Sequence, residues 1–108
     1  MSLRYSVAVL SFMMLVFATG APAQTTGADL AKARNCLACH QIDAKRVGPS
    51  FKLIVERYAG QPSAQEYLAG TIRSGGRARW GAVPMPAQPH VSPEDARAIA
   101  DWILSLAP

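Results

Sequence analysis

The chain has 108 residues, half of them hydrophobic, with a formal net charge of +4 and a pI near 9.5. This length fits one small domain. The basic balance alone does not make a nucleic-acid binder, because no recognition motif accompanies it.

The first 23 residues read as an export signal. Arg4 supplies a positive start, Val7 to Phe17 is an apolar run broken only by Ser11, and Ala21-Pro22-Ala23 has the small-x-small form of a cleavage site. Cleavage is expected before Gln24, leaving residues 24–108 as the domain. The apolar run is short and poorly flanked for a membrane-spanning helix, so no stable membrane insertion is expected after cleavage, with an uncleaved anchor as the alternative. There is no twin-arginine pair and no cysteine near the cut, which argues against a lipid anchor. The expected location is a bacterial periplasm. Without Arg4 the formal charge of +4 falls to +3.

The first helical segment is expected from about Ala28 into His40. It carries Cys36-Leu37-Ala38-Cys39-His40, the C-x-x-C-H signature of c-type haem attachment. Two thiols add across the haem vinyl groups to make thioethers, and the imidazole that follows takes an axial position on the iron. On a helix, positions 36, 39 and 40 fall on one face. A thioredoxin-type pair has no use for the histidine and needs a βαβ setting that this chain lacks. A zinc site needs further ligands, and there are no other cysteines. Both thiols are spent on one haem, so no disulfide is expected. A tied haem also supplies apolar mass to a domain near the lower size limit for a self-sufficient core.

The loop from Gln41 to Pro49 follows. An axial imidazole normally donates its second N–H to an acceptor that orients the ring, and the Pro49 carbonyl is the candidate. The second helix follows Ser50 as N-cap, with Phe51, Ile54, Val55 and Tyr58 on one face and Gly60 at its end. The third follows Ser63, which forms an expected capping box with Glu66. Leu68 and Ile72 share a face, and Gly75-Gly76 stop the helix.

A long loop then runs from Gly75 to Val91, and its prolines and Trp80 argue for order. Arg73, Arg77 and Arg79 form a local basic patch: a solvated loop, with propionate contacts or a docking face as alternatives. Met85, the only methionine in residues 24–108, stands between Pro84 and Pro86. A thioether suits haem iron, Met/His ligation raises the reduction potential, and the flanking prolines limit loop freedom. His90 is the rival sixth ligand, with Lys32, Lys45 and Lys52 weaker because they would have to be neutral. Trp80 offers its indole N–H to a propionate. The fourth helix follows Ser92, with Pro93 in its first turn and an apolar stripe of Ala96, Ile99, Ala100, Ile103 and Leu104. No segment alternates as a strand would, so the fold is expected to be all-α, with about four helices around one haem.

Together these residues resemble the class I c-type cytochromes, and within them the small bacterial monohaem c-551/c-552 group. The resemblance rests on Cys36 to His40, Val47-Gly48-Pro49, Tyr58-Ala59-Gly60, Trp80-Gly81, Val83-Pro84-Met85-Pro86 and Asp101-Trp102-Ile103-Leu104-Ser105. It implies thioethers at Cys36 and Cys39, His40 and Met85 as axial ligands, Pro49 as acceptor from His40, and Trp80 at a propionate. Gln88 would be a polar partner of the Met85 sulfur. Asn35 departs from the glycine common before the first cysteine, and the stretch from Ala87 to His90 looks one residue longer than in some members.

The expected function is periplasmic single-electron carriage by a monomer without catalysis of its own. The donor would be a cytochrome bc complex or a dehydrogenase, and the acceptor an oxidase or reductase. Bases such as Lys32, Arg34 or Lys45 are expected around an apolar docking edge. The alternatives are a dedicated haem subunit of an oxidoreductase complex and a ligand-binding or peroxidatic haem protein with an open sixth site.

Overall fold

Four α-helices are present among the described residues, three of them opened by a side-chain cap. A computed structural model describes Gly20 and residues 25–107. The expected signal segment and its cleavage site before Gln24 lie outside the described residues, Gly20 excepted. Helix α1 spans Gly27–Ala33, α2 Phe51–Tyr58, α3 Ala64–Ser74 and α4 Pro93–Leu104, with a short 3₁₀ turn at Cys36–Ala38. No named strand occurs among the described residues; Gly76 and Met85 form one isolated antiparallel pair.

Helix α1 begins at a capping box. Thr26 Oγ1 accepts from the Asp29 N–H at 3.1 Å, and the Asp29 carboxylate accepts from the Thr26 N–H at 3.3 Å. The helix stops at Ala33, short of the expected run into His40. Asn35 takes a left-handed conformation with φ of 61°, which asparagine tolerates better than most residues and which cannot continue a right-handed helix. Cys36 then opens a new turn, closed when the His40 N–H donates to the Cys36 carbonyl at 3.0 Å.

Helix α2 starts where Ser50 Oγ accepts from the Leu53 N–H at 3.1 Å, and α4 where Ser92 Oγ accepts from the Asp95 N–H at 3.1 Å, with Pro93 leading the first turn. The expected Ser63–Glu66 box does not form. The Ser63 backbone sits at φ −108° and ψ 17°, outside the extended region an N-cap needs, and the Glu66 carboxylate instead accepts from Arg97 Nε of α4 at 3.2 Å.

Helix α4 is central, packing on α3, α1 and α2. Its buried stripe of Ala96, Ile99, Ala100 and Ile103 meets Leu68, Ala69 and Ile72 of α3 and Phe51 and Ile54 of α2. Phe51, Ile99, Val55 and Val91 are the largest side chains that are fully buried, so the polypeptide core is small. The long loop is anchored at both ends. Gly76 and Met85 exchange backbone hydrogen bonds of 3.0 and 2.9 Å, the Gln88 N–H donates to the Ile72 carbonyl at 3.1 Å, and Arg73 Nε donates to the Val91 carbonyl at 3.0 Å. Gly75 ends α3 at φ 75°, and a Cβ there would lie 2.5 Å from the Met85 carbonyl oxygen.

Candidate functional site

The turn after Asn35 brings Cys36, Cys39 and His40 to the wall of a single cavity. Both thiols are half-buried. Burial pushes the Cys36 thiol above its ordinary value, so it is neutral at neutral pH.

His40 is fixed from three sides. Its Nδ1 lies 2.7 Å from the Pro49 carbonyl oxygen. A carbonyl only accepts, so Nδ1 is the donor, and in that tautomer of the neutral ring Nε2 is the nitrogen with the lone pair. The Phe51 ring stacks on the imidazole at 5.3 Å and 23°, and Trp102 meets Phe51 edge-on at 5.1 Å. Gly48 lies against the third side: its N–H donates to the Cys39 carbonyl at 2.8 Å, and a Cβ on it would lie 2.6 Å from His40 Cε1. Gly48→Ala should therefore force the ring off the Pro49 carbonyl. We expect a loss of about 1–3 kcal/mol, typical of overpacking, in denaturant unfolding of the haem-loaded protein. An unchanged unfolding midpoint would show that the ring is not held this closely.

Met85 reaches the same cavity from the long loop, half-buried and flanked by exposed Pro84 and Pro86. Gln88 lines it too, although its amide donates to the Pro86 carbonyl at 3.4 Å. His90 is exposed and does not line the cavity, nor do Lys32, Lys45 and Lys52. Trp80 is half-buried on the wall, beside Tyr58. Of the expected basic patch, Arg77 and Arg79 line the cavity, Arg79 also donating to Thr71 Oγ1, while Arg73 donates to the Val91 carbonyl.

The cavity encloses about 1180 Å³ of empty space, its open mouth included. Ile54, Leu68, Ile72, Ile99 and Ile103 give it an apolar floor. Two thiols, an imidazole with a free Nε2 and a thioether around an apolar slot form a donor set suited to a covalently held haem.

Over residues 24–107 the chain matches the Cytochrome c family. It belongs to that family. A cytochrome c-552 of Nitrosomonas europaea is 53% identical over 79 residues, covering 73% of this chain and 77% of the relative. A cytochrome c-552 of Hydrogenobacter thermophilus is 48% identical over 77 residues, covering 71% and 78%. The crystal structure of the wild-type N. europaea cytochrome c552 superposes with a TM-score of 0.72, covering 73% of this chain and 98% of that one. The fold is the small all-α class I cytochrome c fold, and its cofactor is one covalently attached haem c. Homologous c-551 and c-552 cytochromes are electron carriers.

For a cytochrome c of this kind, sequence reasoning left several wall residues unassigned. Tyr67 of α3 lines the cavity, its ring 5.0 Å from Tyr58. Contact with the Tyr58 hydroxyl, then burial, raises its phenol above the ordinary value, so Tyr67 is uncharged at neutral pH. Arg34 also lines the cavity and binds the Asp95 carboxylate at 2.9 Å, tying the end of α1 to the start of α4. That pair leaves Arg34 less free for docking than its sequence position suggested. A cation two residues before Cys36 gave no signal of a partner 61 residues away.

Proposed function

We propose that residues 24–108 act as a periplasmic single-electron carrier, with Cys36 and Cys39 bearing the thioethers and His40 and Met85 as axial ligands. One observation carries this reading. Among the side chains weighed as sixth ligand, Met85 lines the cavity that holds both thiols and His40, whereas His90 and the three lysines do not. The haem supplies the one-electron couple; the chain supplies the ligands, an apolar slot and the charge around it. The Pro49 carbonyl holds His40 Nδ1–H and so presents Nε2 to the iron. Trp80 offers its indole N–H to a propionate. With protein side chains at both axial positions no site is open to substrate, so the chain has no catalysis of its own.

A cleaved export signal over residues 1–23 fits this reading, since the family match begins at residue 24. No helix among the described residues is long and apolar enough to cross a membrane. The cavity mouth offers exposed Val47 and Val83, and Lys32, Lys45 and Arg46 are exposed, the last two just before Val47 in the chain. We expect a monomer that meets redox proteins in brief encounters: a cytochrome bc complex or dehydrogenase as donor, an oxidase or reductase as acceptor. Electron exchange with an acidic redox partner should slow as ionic strength rises from about 0.01 to 0.1 M and the screening length shrinks from about 30 to 10 Å. Rates indifferent to salt would remove these bases from any part in docking. Copurification in a stable 1:1 complex with a catalytic subunit would favour the dedicated-subunit alternative.

A further inference from the structure

Two arginines hold one edge of the cavity mouth. From α2, Arg57 lays its guanidinium over the Trp80 ring, 3.5 Å from the centroid. Its Nη1 also donates to the Arg79 carbonyl at 2.6 Å. Arg79 reaches the other way, to α3, where it donates to Thr71 Oγ1 at 2.7 Å and sits 4.9 Å from the Tyr67 centroid. Residues 77–81 are thereby strapped to both helices. Beyond these contacts the one apolar hold on the segment is half-buried Trp80, edge-on to Tyr58, since Arg77, Ala78, Arg79 and Gly81 are all exposed. Ala78 stands at φ 57°, a left-handed conformation that a residue with a Cβ keeps only where its surroundings impose it. Residues 77–84 form an excursion closed at its base by the Gly76–Met85 pair, so whatever loosens the strap loosens the chain next to Met85.

Arg57 does not line the main cavity and acts only through Trp80 and Arg79, which do. We propose that Arg57 is a positioning residue for the Met85 sulfur. Its stack on Trp80 and its bond to Arg79 latch residues 77–81 over the cavity and set how readily an outside ligand displaces that sulfur. The inference rests on the assignment of Met85 as sixth ligand.

The test titrates the oxidised, haem-loaded protein with imidazole while following the near-infrared sulfur-to-iron band. Binding through a minor open state scales with that state's population. Arg57→Ala should therefore tighten apparent imidazole binding about tenfold while the band remains present at zero imidazole. Arg57→Lys keeps the charge but lacks the planar fork that stacks and bonds at once, so it should also tighten binding several-fold. Ala69→Gly, buried in α3 away from the cavity, should lower the thermal midpoint without moving imidazole affinity. Wild-type affinity in Arg57→Ala would overturn the proposal. So would wild-type affinity in Arg57→Lys, which would mean that charge alone matters, or an equal shift in Ala69→Gly, which would mean general loosening. A wild-type protein without the band would instead overturn the ligand assignment, and the latch with it.

Discussion

Met85→Ala should abolish the sulfur-to-iron charge-transfer band of the oxidised protein and open the iron to exogenous ligands. It should also lower the reduction potential, because a thioether favours the ferrous state and water or nitrogen ligands do not. A drop on the order of 0.1 V is expected, a fraction of the roughly 0.8 V that axial ligands span across haem proteins. Met85→His should remain six-coordinate yet also fall in potential, which separates ligand identity from vacancy. His90→Ala should change neither band nor potential, since His90 is exposed and off the cavity wall. A band that survives the loss of Met85, or that vanishes with His90, would show the sixth ligand to be misassigned.

Replacing both thiols, Cys36→Ala with Cys39→Ala, should leave a haem-free chain that is largely unfolded. The reason is the division of the core. Ile54, Leu68, Ile72, Ile99 and Ile103 belong both to the helical core and to the cavity wall, so without haem they lose the apolar mass that packs against them from the cavity side. Each such side chain stabilises by about 1.5–3 kcal/mol when fully buried, and a small domain stands only about 5–15 kcal/mol above its unfolded state. Far-ultraviolet circular dichroism of the haem-free variant checks this. Native-like helicity with a cooperative thermal transition would show that the polypeptide core suffices.

The parts of this protein that were legible in its sequence are those governed by short-range chemistry. C-x-x-C-H, the proline-flanked Met85 and Pro49 point to the same cavity because each motif carries its own spacing. The serine caps at Ser50 and Ser92 were equally readable, since a hydroxyl and an N–H three residues on suffice. The Thr26–Asp29 box was just as local and could have been found by the same rule. What failed was decided elsewhere in the molecule. Glu66 leaves its capping position for Arg97 on another helix. The expected helix from Ala28 into His40 missed the break at Asn35, a residue type that tolerates the left-handed conformation and here resets the helix direction ahead of the cysteines. The Arg57–Trp80 stack joins residues on either side of a full helix and had no sequence signal at all.

A spectroelectrochemical titration of the purified haem-loaded protein tests the central claim most directly. The account predicts one reversible, one-electron transition, with the near-infrared sulfur band present in the oxidised form and a six-coordinate spectrum in both states. A five-coordinate spectrum that readily binds added ligands, or an oxidised form without the sulfur band, would contradict it.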